Sequence, residues 1–259
     1  MSDGDMEVFF CGLAALLGAV LGSFLNCAAW RTARGQAWLT GRSRCPVCGH
    51  ALGALELIPV LSFLLQRGRC RHCGAKLPWR YLLTELGFGL LTVLSYRRFG
   101  LSLYGLGCYV FFCCLLCLSL VDWEIYIIPD GCLIAAALAW PLTLPALDFD
   151  GLRILERILS ALVFGGGMLL LARWMDRLLD KESLGGGDIK LFALLGLYLG
   201  FARSLLALLL SSLLGLLLAL VPRGGDKRIP FAPAISLAAA LTLLWGDTVI
   251  DWYLGLFAF

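Results

Sequence analysis

Three glycines run into a carboxylate at Gly185-Gly186-Gly187-Asp188-Ile189-Lys190. Asp188 stands where an apolar segment begins. An ionised group at the edge of hydrocarbon is costly, so it is a functional candidate by default. Glycines lack Cβ and let another backbone come close, which is the surface a peptide substrate needs beside an acid. The plainer reading is a flexible hinge with a solvated acid. A phosphate loop is excluded, because no Gly-Lys-Ser/Thr follows. A second acid shifts the balance. Asp122 opens the stretch Asp122-Trp-Glu124-Ile-Tyr-Ile-Ile-Pro129-Asp130, placed after the third apolar run. Pro129 cannot continue a preceding helix, so the chain should break and restart there. Two spans separate Asp122 from Asp188, and two crossings return the chain to the same face. Two carboxylates at one face can share one proton: one then activates water and the other polarises a peptide carbonyl. That is aspartic protease chemistry, and no serine or histidine arrangement competes with it.

A second group of residues suits a metal. Cys45-Pro-Val-Cys48 and Cys70-Arg-His-Cys73 are two pairs with 21 residues between them. Two such knuckles close a tetrahedral thiolate site, and four filled positions argue for structural rather than catalytic zinc. Gly49 and Gly74 follow the pairs and suit tight turns. His50 and His72 are read as non-ligands, since four thiolates suffice. The alternative is a loop of reduced thiols. Cys114 and Cys117 also have pair spacing, but they lie mid-span with no charged neighbour and read as packing residues.

The elements that must position these groups are membrane helices. The chain has 259 residues, 60% of them hydrophobic and 15% charged, well above the apolar share of a soluble domain. Apolar runs recur at about 8–30, 81–96, 101–121, 125–147, 154–174, 189–202, 205–221 and 229–245. The fold class is therefore an all-α polytopic membrane protein of about eight transmembrane helices with a cytoplasmic zinc-binding loop. Residues 31–80 carry nine Lys/Arg against one acid, Glu56, and the positive-inside rule puts them in the cytoplasm. Alternating the spans from an external N-terminus assigns sixteen Lys/Arg to the cytoplasm, among them Lys181, Arg223, Lys227 and Arg228, and five outside. The expected organisation is a first span over 1–30, the zinc loop over 31–80 and a protease core over 81–259. The sixth span has 14 residues, or ~21 Å of helix, against ~30 Å of hydrocarbon. Either the bilayer thins there or Asp188 lies below the membrane surface.

Taken in order from Gly22 to about Pro233, these motifs resemble the type IV prepilin peptidases, bifunctional leader peptidase/N-methyltransferases of the GxGD aspartyl protease group. Gly22-Ser-Phe-Leu-Asn26 with Arg31 looks like the family's first-span motif, and the cysteine pairs look like its zinc loop. Glu56-Leu-Ile-Pro59 with Ser62-Phe63, and Arg80-Tyr81 with Glu85, resemble its connecting segment and second-span start. Asp122 with Glu124 and Pro129, then Gly187-Asp188-Ile189-Lys190, are similar to its two aspartyl motifs. Pro230-Phe231-Ala232-Pro233 departs from it, with alanine where the family usually has glycine.

The resemblance implies cleavage of a short basic leader from prepilins or pseudopilins at the cytoplasmic face of the bacterial inner membrane. The cut falls after a glycine and before the mature N-terminal residue, and the new amine is methylated with S-adenosylmethionine. It implies Asp122 and Asp188 as catalytic acids. Gly185, Gly186, Gly187, Lys190, Glu124 and Pro129 become the active-site wall, and Asn26 and Glu85 methyltransferase residues. The expected cofactors are structural Zn2+ and S-adenosylmethionine; the expected partners are these substrates and the lipid bilayer, with no nucleic acid. No Rossmann-like methyltransferase motif is present, which keeps a leader peptidase without methylation as the alternative. Outside the family, a proton pathway or transporter would place acids near the midplane in repeated halves, and no repeat is seen. A membrane-anchored zinc module would leave both acids unexplained.

Overall fold

A computed structural model describes residues 3–38, 41–180, 184–220 and 229–256. Lys181, Arg223, Lys227 and Arg228, used above for topology, lie outside the described residues. Those described are helical almost throughout: α1 (Asp3–Thr32), α2 (Leu61–Leu65), α3 (Arg80–Phe99), α4 (Leu103–Ile125), α5 (Asp130–Ala139), α6 (Gly151–Leu179), α7 (Gly186–Leu199), α8 (Phe201–Ala219) and α9 (Ala232–Gly255). Long helices follow from runs that are apolar on every side, since in hydrocarbon each backbone group must find its partner within the helix. Leu152, Leu162, Leu170, Leu213, Leu216 and Leu217 stand exposed, as side chains facing lipid tails would.

Each of the eight expected spans has its helix, but six meet the length and hydropathy of a membrane crossing among the described residues. α3 and α7 are the two that do not. α3 carries Arg80, Glu85, Arg97 and Arg98 within its 20 residues, and α7 has 14 residues, as the sequence indicated. α7 compensates by burial: Leu191, Phe192, Leu195 and Leu199 are 0–2% exposed. The expected fourth span is also divided. α5 stops at Ala139 and Trp140–Leu147 tightens into a 3₁₀ segment holding Pro141 and Pro145, residues that cannot supply the amides an α-helix needs.

The chain separates into two compact units, residues 1–100 and 101–259. In the first, α1 packs along α3 through small residues: a Cβ on Gly22 would lie 2.9 Å from the Thr84 carbonyl. α3 therefore goes with α1 and the cysteine loop, where the sequence grouping had it with the core. In the second, α4 packs on α5 and α9, α7 packs on α5 and α9, and α6 and α8 lie against α7 and α9 respectively.

Candidate functional site: an acid pair and a cysteine cluster

The acid pair belongs to the second unit. α4 runs past the expected end of its span, so Asp122 lies in its last turn rather than beyond it. Tyr126 then adopts a left-handed conformation (φ 56°), and its amide closes on the Asp122 carbonyl at 2.9 Å. Residues 127–129 are non-helical, and Pro129 precedes α5 in extended geometry. The break expected at Pro129 is there. Asp122 is 6% exposed, and its Oδ2 accepts a hydrogen bond from the amide of Ala232 at 3.0 Å.

Asp188 is in the first turn of α7, entered through Gly185. Its carboxylate interacts electrostatically with that of Asp122. The two acids are thus brought together by helices that α5 and α6 separate in sequence. The three glycines differ. Gly185 and Gly186 are exposed, and a Cβ on Gly186 would meet nothing within 4 Å. A Cβ on Gly187 would lie 2.7 Å from Cβ of Ile128. Gly187 therefore makes room for the α4–α5 connection rather than for open space. Lys190 reaches back to Asp130 at 2.6 Å, an exposed ion pair tying α7 to the start of α5. Glu124 and Pro129 are half-buried beside this connection.

The cysteine cluster belongs to the first unit, and its two knuckles repeat one local design. Cys45 N–H reaches the His50 carbonyl and Gly49 N–H the Cys45 carbonyl; Cys70 N–H reaches Ala75 and Gly74 N–H reaches Cys70, all at 2.8–3.0 Å. Gly49 and Gly74 take φ of 72° and 69°, a turn conformation that glycine adopts without strain. The ligand atoms of Cys45, Cys48, Cys70 and Cys73 lie within 4.8 Å of one another. Cys45 and Cys73 sulfurs are 3.9 Å apart, close to the ~3.8 Å edge of a tetrahedron with Zn–S bonds of ~2.3 Å. Burial opposes ionisation of Cys45, but the amides of Cys48 and Val47 and the thiols of Cys70 and Cys48 outweigh it and bring that thiol down to about 7. The donor set and its spacing suit zinc. The four thiols suffice for a tetrahedral site, and His50 and His72 stack on each other at 4.5 Å and 12°.

The residues expected to serve methyl transfer behave differently from each other. Asn26, fully buried on α1, donates to Thr84 Oγ1 at 2.8 Å, while its Oδ1 has no partner among the described residues. A buried acceptor left open costs ~1–3 kcal/mol, so it is a ready point for a ligand donor. Glu85 is already engaged: its Oε2 accepts the Val60 amide at 2.7 Å. Val60 has φ 62° and ψ −55°, and Leu61 N–H closes a γ-turn onto the Pro59 carbonyl. That conformation is strained for a β-branched residue. Sequence reading gave no sign of this turn, because nothing in Ile-Pro-Val-Leu announces a positive φ. The role of Ala232's backbone was missed for a similar reason: an amide carries no sequence signature.

The family described as Bacterial Peptidase A24 N-terminal domain matches residues 16–99, and the Type IV leader peptidase family matches residues 109–220. Their boundary coincides with that of the two compact units. A protein of Bacillus subtilis (strain 168) named prepilin leader peptidase/N-methyltransferase is 34% identical, over 92% of this chain and 96% of its own length. Proteins of the same name from Aeromonas hydrophila (36%, covering 82% and 74%) and Pseudomonas putida (33%, covering 93% and 92%) are also similar. No solved structure matches the chain.

Proposed function

The chain belongs to the type IV leader peptidase family, and from that premise we propose that it removes the leader from prepilins or pseudopilins and methylates the new α-amine. The observation that carries cleavage is the meeting of Asp122 and Asp188 at helix ends. Two close carboxylates resist holding two charges. One holds the proton and donates it to the scissile carbonyl oxygen; the other takes a proton from the attacking water. Gly185 and Gly186, exposed beside the pair, give a substrate backbone room to approach. Lys190 and Asp130 hold the neighbouring helices, and Glu124, Pro129 and Gly187 shape the connection between them. The basic bias of residues 31–80 supports a cytoplasmic-face position for the acids, where the basic leader would lie while the apolar pilin helix stays in the bilayer.

Methylation is assigned to the first unit. Zinc held by Cys45, Cys48, Cys70 and Cys73 fixes the loop, Glu85 braces it through Val60, and Asn26 presents its open acceptor to the methyl donor or the amine. S-adenosylmethionine supplies the methyl group. The test is to incubate the purified protein in lipid nanodiscs with a full-length prepilin, with and without S-adenosylmethionine, and to weigh the product. The expected result is loss of the leader mass in both cases and gain of one methyl group with the donor. An unchanged prepilin mass would overturn the assignment.

A further inference from the structure

The two acids are not equivalent, and the start of α9 distinguishes them. Ala232 is the first residue of α9 and is completely buried. The first amides of a helix have no acceptor within it and carry its positive end. Here they can be traced one by one. Pro233 has no N–H, Ala234 and Ile235 both reach the Phe231 carbonyl at 3.0 and 3.1 Å, and Ala232 reaches Asp122 Oδ2 at 3.0 Å. Among the described residues, no group donates a hydrogen bond to the Asp188 carboxylate. Resting on the leader-peptidase reading above, we propose that the Ala232 amide is a positioning group that makes Asp122 the ionised acid and leaves the shared proton on Asp188.

The placement of that amide is built into the packing. The Phe231 ring sits against Gly215 of α8 so closely that a Cβ there would collide with it. About one turn away, Ser119 of α4 and Ser236 of α9 share a hydrogen bond of 2.8 Å. Helix α9 is thus pinned beside α4 independently of the acid. A hydrogen bond to the charged form of an acid favours that form, and more so where water is excluded. The other titratable groups on the surrounding elements do not reverse this. α6 runs antiparallel along α7 and carries Arg173, Asp176 and Arg177 toward the end where Asp188 lies, yet the charge that acts on Asp188 is that of Asp122. Asp130 on α5 and Lys190 on α7 neutralise each other at 2.6 Å. Arg203 of α8 pairs with Asp247, ~22 Å along α9 from Ala232 at helical rise. Glu124 and Cys117 share α4 with Asp122, Cys132 lies on α5, and Asp251 is beyond Asp247.

The chemistry then has fixed roles. Asp122 takes a proton from water as its oxygen bonds to the scissile carbonyl carbon, and Asp188 passes its proton to the carbonyl oxygen. In the collapse, the C–N bond breaks, Asp122 returns its proton to the leaving nitrogen, and Asp188 regains one from the gem-diol. Ala232 acts through Asp122, by its amide. The alanine that departs from the family's usual glycine keeps the amide, so the departure leaves this device intact.

The experiment removes the amide hydrogen and nothing else on the acids. Ala232→Pro keeps a helical φ at a position where proline is accepted. The acidic limb of this variant's pH–rate profile for prepilin cleavage should move up by about 1 pH unit, which lowers the rate at a given pH on that limb by up to about 10-fold. The direction follows because Asp122 would need a higher pH to ionise. Ala232→Gly retains the amide and should leave the limb in place. Ser119→Ala, which breaks the other α4–α9 hydrogen bond, should also leave it. A limb that stays put in Ala232→Pro, or that moves equally in Ala232→Gly, would overturn the assignment. Should Ala232→Pro fail to fold, the infrared difference between wild type and Asp188→Asn decides: the protonated-carboxyl band should be lost, and its persistence would put the proton on Asp122. Wild-type protein that leaves prepilin uncut refutes the leader-peptidase reading instead, and this inference with it.

Discussion

The cysteine cluster and the acid pair gather their groups by opposite means. Each knuckle is local: its cysteines are three residues apart, and its turn closes by hydrogen bonds that span at most five residues. The acids sit at ends of different helices, and α5 and α6 must be in place before they meet. Consequently the cluster depends on its own four cysteines and the turns that carry them. The pair depends also on the packing around it, such as Ile128 against Gly187 and Phe231 against Gly215. The difference teaches where damage should travel: changes at the cluster should stay with the loop, while changes in helix packing should reach the acids.

The largest expected effect comes from the acids themselves. Asp122→Ala and Asp188→Ala should each lower cleavage at least about 100-fold, the scale of a lost general acid or base, with zinc content unchanged. Asp148→Ala and Asp150→Ala should cleave normally, and a peptide-release assay on detergent-solubilised protein distinguishes the two classes. Next comes the cluster. Serine at Cys45, Cys48, Cys70 or Cys73 should bring zinc to well under one ion per chain by elemental analysis and loosen the loop. Methylation should suffer more than cleavage; equal losses would break the contrast between the regions.

A smaller effect tests the packing argument. Gly187→Val should lower cleavage by about 10-fold, because the side chain collides with Ile128 and overpacking costs ~1–3 kcal/mol. The double variant Gly187→Val/Ile128→Ala should recover part of the rate. Without recovery, Gly187 acts on the substrate directly and the wall includes it. The smallest effect belongs to Lys190→Met. Its ion pair with Asp130 is exposed and such pairs contribute ~0–1 kcal/mol, so cleavage should change by less than about 5-fold.

The same local-versus-distant contrast explains what could be read from sequence. The knuckles were legible because spacing alone defines them, and the following glycines take the positive φ their positions suggested. Helix positions were legible from apolar runs, and the break at Pro129 from proline's missing amide. Both acids stood out as candidates because charge at the edge of an apolar run is rare. Hidden from view were features set by tertiary packing: the last turn of α4 that includes Asp122, the 3₁₀ segment after Ala139, the grouping of α3 with α1, and the backbone donors from Val60 and Ala232. Glu85 shows the limit well. Its motif position suggested methyl-transfer chemistry, while its contact is with a strained backbone amide.

The most direct test of two separate machineries offers one protein both reactions. Asp188→Asn protein in nanodiscs would receive intact prepilin in one tube and pre-cleaved pilin with S-adenosylmethionine in another. The account predicts no leader release in the first and wild-type methylation in the second. Leader release at the wild-type rate, or loss of methylation in step with cleavage, would contradict it.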